Sequence, residues 1–249
     1  MDRFKFAIRL ARKCGKIAKE DFEKSKKISY KKNAEIVTGT DKKIERLIWS
    51  EIHKAFPDDA MLGEELGLEK GSDNIWIVDP IDGTKNFSSG IPFFAVSIGF
   101  YGEDDVFGVV YAPMLGELYY ARQGEGAFVN GKRIQCSKET NLKKSVFLFC
   151  NGLDQKSRRK LGSVLKKIVL KTNVKKFGSA AIETCYVASG RVEGFFVPGI
   201  HIWDVAAGAV IAKEAGCEVS DMHGKRFGMN SDSFLVAGDV YKKILRMIK

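Results

Sequence analysis

Histidine is nearly missing from this chain. His53, His201 and His223 are the three in 249 residues, so a multi-histidine metal centre is all but excluded. Cysteine is sparse too. Cys14, Cys136, Cys150, Cys185 and Cys217 are scattered, odd in number and without a CxxC pair. That argues against a zinc site or a disulfide framework, and for reduced, mostly buried thiols. No apolar run approaches the ~18 residues that a bilayer span needs, so no membrane segment is expected. The opening MDRFKFAIRLARK mixes charge with apolar residues at three- and four-residue spacing, where a signal peptide needs an unbroken apolar stretch. An amphipathic helix and a cytoplasmic location are expected. No internal repeat, low-complexity tract or Pro-rich linker divides the chain, which reads as one folding unit, residues 1–249, with an N-terminal lobe over about 1–140 and a C-terminal lobe over about 141–249.

What is present is a core and a basic surplus. Hydrophobic residues make up 45% of the chain, enough for a globular interior. The formal net charge is +10, with basic residues concentrated between Lys138 and Lys176. Such a surplus attracts phosphorylated metabolites or nucleic acid, and equally describes Lys-rich helix faces in water. The basic stretch lacks the interleaved aromatics of a single-strand nucleic-acid platform.

Periodicity predicts helices over residues 2–24 and 41–56, the second with Ile44, Leu47, Ile48 and Ile52 on one face. GEELGLEKGSDN reads as a polar connection and NIWIV as a short buried strand ending at Asp79. FFAVSIGFY, DVFGVVYAP, GELYYA and GAFVN predict an antiparallel meander. In the second half, SVFLFC, VEGFFV and FLVAG read as strands, and residues 155–170, AAIETCYVASG, WDVAAGAVIAKEAG and DVYKKILRMIK as helices.

The densest chemistry is Asp79-Pro80-Ile81-Asp82-Gly83-Thr84. An apolar strand delivers two carboxylates at its end, and two such charges held close repel unless a cation lies between them. Oxygen donors without Cys or His favour Mg²⁺ or Mn²⁺ over zinc. The N–H groups of Gly83 and Thr84 are placed to face a phosphate. The same residues are also ordinary turn formers. Asp204, at the head of an apolar helix, also has a plain reading as a helix-start acid.

GEE (63–65), WIVDPIDGTKNF (76–87) and WDVAAG (203–208), in this order and spacing, resemble the inositol monophosphatase family, as do Val37-Thr38-Gly39-Thr40-Asp41, GSAA (178–181) and Glu214-Ala215-Gly216-Cys217. The resemblance spans essentially the whole chain. It implies an α/β (α+β) fold layered α-β-α-β-α, a homodimer, and a Mg²⁺-dependent phosphomonoesterase acting on a small phosphorylated metabolite. It implies one metal on Glu64, Asp79 and the carbonyl of Ile81, a second on Asp79, Asp82 and Asp204, and a third, weaker one near Glu64. By the same resemblance Thr84 orients the attacking water and Asp41 holds Thr84. Asp82, Gly83, Thr84, Gly178, Ser179, Ala180 and Asp204 contact substrate. Glu65 is either a supporting group or a solvated neighbour.

The chain departs from the family's inositol-selective members at Val197, where they carry a glutamate that contacts substrate hydroxyls. That departure predicts a broader specificity. Inositol 1-phosphate ranks first as substrate and fructose 1,6-bisphosphate second. A 3′(2′),5′-bisphosphate nucleotide ranks third, because Lys85 is followed by Asn86 where that branch carries DGTKEF. A role as an RNA- or transcription-complex-associated factor, as in some bacterial relatives, is the alternative from a different class.

Overall fold

The computed structural model describes residues 1–24, 28–30 and 36–249. The chain opens with α1 (Arg3–Phe22), two short paired strands β1 (Ile28–Tyr30) and β2 (Ile36–Thr38), and α2 (Gly39–Ala55). There follow β3 (Ala60–Gly63), β4 (Gly67–Glu69), β5 (Ile75–Asp82), a short α3 (Thr84–Ser88), β6 (Ala95–Tyr101), β7 (Val106–Ala112), β8 (Glu117–Arg122), β9 (Gly126–Val129) and β10 (Lys132–Ile134). The rest comprises β11 (Val146–Phe149), α4 (Gln155–Ile168), β12 (Asn173–Lys175), α5 (Ala180–Ala188), β13 (Gly194–Pro198), α6 (Ile202–Glu214), β14 (Glu218–Ser220), β15 (Ser233–Ala237) and α7 (Tyr241–Ile248).

Local chemistry explains the element ends. Asp2 caps α1 by accepting from the N–H of Lys5, and Phe6, Leu10, Cys14 and Ala18 then bury one stripe. Thr38 and Asp41 form a reciprocal capping box, so α2 starts at Gly39 rather than at Asp41. α5 and α6 are buried nearly all round, the pattern of a helix with a partner on every side.

An eight-stranded sheet runs β10-β9-β8-β7-β6-β5-β3-β4 and a five-stranded sheet runs β12-β11-β13-β15-β14. The expected meander is β6 to β9, antiparallel throughout. α1 and α2 cover the outer face of the large sheet around Trp76, Phe100 and Phe107. α5 and α6 fill the space between the sheets, in one core that joins Tyr119 and Val110 to Phe195 and Val236. α4 and α7 close the outer face of the small sheet on Phe147 and Phe196. The layering is α-β-α-β-α. Among the described residues no helix is long and apolar enough to cross a membrane.

Three local expectations are corrected. The polar connection contains β4, an edge strand paired with β3 from Met61↔Glu69 to Gly63↔Gly67. Its Leu68 is exposed, so no burial pattern announced it. The NIWIV strand does not stop at Asp79 but continues to Asp82 through an irregularity. Residues 84–88, not read as any element, form α3 behind Gly83, whose φ of 94° starts the turn.

Candidate active site

The irregularity in β5 creates the acidic centre. In a regular strand, residues three apart face opposite sides of the sheet. Here the pairing of β5 with β6 shifts register between Asp79 and Asp82, around Pro80, which has no N–H to contribute. The kink re-aims the strand end, and both carboxylates line one cleft of about 160 Å³ with Glu64, Thr84 and Asp204. Glu64 arrives from the turn after β3, and Asp204 from the first turn of α6.

Each carboxylate is held. Asp79 Oδ1 accepts from the N–H of Ile81 at 3.0 Å. Asp82 takes the Ser179 hydroxyl and the N–H groups of Ala180 at 3.1 Å and Ala181 at 2.9 Å, all from the start of α5. Asp204 Oδ2 accepts from the N–H of His201 at 3.2 Å. Thr84 Oγ1 stands 3.0 Å from Asp41 Oδ1 and 2.9 Å from the Ile81 carbonyl. Asp41 is in turn fixed by the hydroxyl and the N–H of Thr38.

The electrostatics follow from burial and like charge. Burial first, then the charges of Glu64, Asp82, Asp204 and Asp41, push the Asp79 carboxyl well above the usual range. Burial lifts Asp82 to about 6 against the pull of its donors from Ser179, Ala181 and Ala180. Asp41 is raised by burial, opposed by Thr38 and Thr84.

Not every expected residue lines the cleft. Gly83, Gly178 and Ala180 do. Ser179 does not. It is fully buried, caps α5 and gives its hydroxyl to Asp82, so it steadies a carboxylate instead of meeting a ligand. Lys85 lies outside, on a neighbouring hollow. Glu65 is also outside, with its N–H held by Glu45 at 2.8 Å. Val197 is the clear correction. It points into the core between the sheets, fully buried and paired with Phe234, and does not reach the cleft. The position seven residues before Asp204 lies on β13, where the chain is interior.

Residues that sequence reasoning passed over support the centre. Glu45 is fully buried on α2 and accepts from the N–H groups of Glu65 and Leu66, fixing the turn that carries Glu64. Gly63 makes room for it, since a Cβ there would stand 2.0 Å from Glu45 Oε1. Glu183, buried on α5, accepts from Phe177 at 2.7 Å and Gly178 at 3.4 Å and takes the Cys150 thiol at 2.7 Å. Burial raises it to about 7. Its signal was a lone charge in the otherwise uncharged AAIETCYVA.

Two larger hollows flank the cleft. One of about 500 Å³ shares Leu153, Gly199 and Ile200 with it, and another of about 730 Å³ shares Cys150, Asn151 and Gly178. Neither holds the acidic cluster. The chemistry belongs to the small cleft, and the flanks offer room for the rest of a ligand.

A model of the inositol monophosphatase family matches residues 2–248. The chain belongs to that family. The fructose-1,6-bisphosphatase/inositol-1-monophosphatase of Thermotoga maritima is 38% identical over all of this chain and 96% of its own length. Human inositol monophosphatase 1 is 35% identical, over 94% of this chain and 88% of its own. Among solved structures, the extragenic suppressor protein suhB of Bartonella henselae superposes with a TM-score of 0.92 at 33% identity, covering 98% of this chain and 96% of that one. Members of the inositol monophosphatase family are phosphoric monoester hydrolases, generally Mg²⁺-dependent, and the membership supports phosphatase function here.

The residues present fit a hard cation. The donors around Asp79 are all oxygen, and their mutual repulsion is what a divalent cation relieves. Among the described residues no three acidic, histidine or cysteine side chains stand together closely enough to hold a metal ion as they are placed. The fit therefore rests on donor chemistry and charge.

Proposed function

We propose that this cleft hydrolyses phosphate monoesters of small polyols and sugars, with inositol 1-phosphate and fructose 1,6-bisphosphate as substrates, in a cytoplasmic homodimer. The single observation that carries the reading is the acidic cluster gathered on the β5 kink, with Asp79 raised by burial and then by its like-charged neighbours. Glu64, Asp79, Asp82, Asp204 and the Ile81 carbonyl are the proposed holders of two or three Mg²⁺ ions, with Mn²⁺ as a substitute. Bound Mg²⁺ supplies positive charge to the phosphoryl oxygens and acidifies the attacking water.

The chain's own residues do the positioning. Thr84 Oγ1 gives its proton to Asp41 or to the Ile81 carbonyl, which leaves its lone pairs to receive a hydrogen from water. That aims the water's free lone pair at phosphorus. Burial raises the proton affinity of Asp41, so a proton passed through Thr84 has a carboxylate to rest on. Gly83 and Thr84 present backbone N–H groups beside the phosphoryl group, and Gly178 and Ala180 line the wall against which the alcohol leaves.

Fructose 1,6-bisphosphate joins inositol 1-phosphate because the Thermotoga maritima relative carries both activities in its name, and because the flanking hollows leave the cleft open on two sides. The test is phosphate release from inositol 1-phosphate, fructose 1,6-bisphosphate and a 3′(2′),5′-bisphosphate nucleotide, with Mg²⁺ and with chelator. Mg²⁺-dependent release from the first two is expected. Release that survives chelation, or release from the nucleotide alone, sinks the reading.

A further inference from the structure

Two of the five cysteines lie side by side, far from the acidic cleft in sequence and on neither of its hollows. Cys136 follows β10, in the segment that leads from the large sheet to the small one, and Cys217 follows α6. The N–H of Cys136 bonds to the carbonyl of Ala215 at 3.0 Å, two residues before Cys217. Cys136 Sγ comes within 3.9 Å of the space beside Gly216. Each thiol is the leading influence on the proton affinity of the other.

The segment around Cys136 is gripped on both sides. Ser137 gives its hydroxyl to Glu193 at 3.0 Å, and its carbonyl accepts from the N–H of Asp239. The carbonyl of Ser137 passes so near Gly238 that a Cβ there would stand 2.2 Å away. Cys136 is thus held against Cys217 by backbone, not by the thiols alone. The other cysteines are placed differently. Cys14 and Cys185 are fully buried, and the Cys150 thiol is engaged by Glu183 at 2.7 Å.

We propose that Cys136 and Cys217 are an oxidation site, converted by low-molecular-weight disulfides into an intramolecular disulfide that ties the inter-sheet segment to the end of α6. The geometry assigns the order of events. Cys136 is half-exposed and Cys217 is buried, so Cys136 meets the reagent. Its thiol is also the more acidic, lowered to about 7 chiefly by the neighbouring Cys217 thiol, whereas the Cys217 thiol is pushed up and keeps its proton. The Cys136 thiolate attacks one sulfur of the reagent, whose S–S bond breaks and releases one thiolate. Cys217 then attacks the Cys136 sulfur. The mixed disulfide breaks, and the second leaving thiolate takes up the proton that Cys217 gives up. Two protein thiols lose two electrons, and one reagent disulfide becomes two thiols.

The experiment uses the whole native chain and oxidised glutathione. After incubation and removal of the reagent, thiols titrated in denaturant are expected to fall from five to three, with a peptide map joining Cys136 to Cys217, and dithiothreitol restores all five. Cys136→Ser is expected to keep its remaining thiols, while Cys150→Ser still loses two. The idea is overturned by five surviving thiols, by a glutathione adduct that persists on Cys136 beside a free Cys217, or by a loss of two in Cys136→Ser. The map of the unsubstituted protein decides the matter even where a variant folds poorly. Phosphatase activity is not the readout, so this result stands or falls apart from the functional assignment.

Discussion

Thr84 Oγ1 lies 3.0 Å from Asp41 Oδ1, across 43 positions of chain. The contact joins the start of α3 to the first turn of α2, and Thr38 holds the other oxygen of the same carboxylate. A hydroxyl bound in this way has a fixed orientation, which is what a water-aiming group needs.

Thr84→Ala is expected to lower kcat by about a hundredfold or more while KM moves little, because the interaction matters in the transition state. Asp41→Asn should fall in the same direction. Steady-state kinetics on inositol 1-phosphate checks this. A rise in KM alone would reassign Thr84 to substrate binding.

Asp79→Asn removes one charge from the centre of the proposed cation site. Turnover is expected to be abolished at any Mg²⁺ concentration, with the fold retained, since the substitution relieves repulsion from Glu64, Asp82 and Asp204. Phosphate release and thermal melting are measured together. Activity within tenfold of the parent would refute the role.

The same cluster makes stability depend on pH. Asp82 titrates near 6 in the folded chain against 3.8 for a free carboxyl, mainly through burial, and Asp79 shifts in the same direction. Between those values the folded state binds more protons than the unfolded one. The contribution is therefore full below about pH 4 and is lost as pH rises through about 6. In chelator, Tm is expected to fall over that window, and less steeply in Asp79→Asn. Mg²⁺ should raise Tm more at pH 7 than at pH 5, because cation and proton compete for the same oxygens. A Mg²⁺ effect independent of pH would count against the cation site.

Val197→Glu becomes a test of packing rather than specificity. The side chain is fully buried between the two sheets. An unpaired polar group there costs roughly 2–7 kcal/mol, so a large loss in urea midpoint is expected, with no gain in preference for inositol 1-phosphate. A stable variant with altered preference would place residue 197 at the substrate after all.

Much of the fold could be read early because it is written in short-range periodicity. The stripe on α1, the meander from β6 to β9 and the uncharged run of α6 each follow from neighbouring residues. β4 escaped because an exposed three-residue edge strand has no inner face to pattern. Val197 was misplaced because distance from Asp204 along the chain carries no information about which way β13 turns its side chains. Ser179 was read as a ligand contact because a serine at a helix start looks the same whether it meets solvent or a buried carboxylate.

The amino-acid sequence by itself determined the donor chemistry. Glu64, Asp79, Asp82 and Asp204 are oxygen donors, set among apolar neighbours with almost no histidine to compete, which favours a hard cation, and the motifs GEE, WIVDPIDGTKNF and WDVAAG that carry them were enough to mark the family. The tertiary structure alone decided how those donors meet. The β5 kink turns two aspartates to one side, Glu45 reaches from α2 beneath the Glu64 turn, and the start of α5 closes on Asp82. The reason is physical. The charge on a side chain is fixed by its covalent structure. Its proton affinity, its orientation and its partners are set by burial and by backbone groups from distant elements, and these exist only once the sheets and helices have packed.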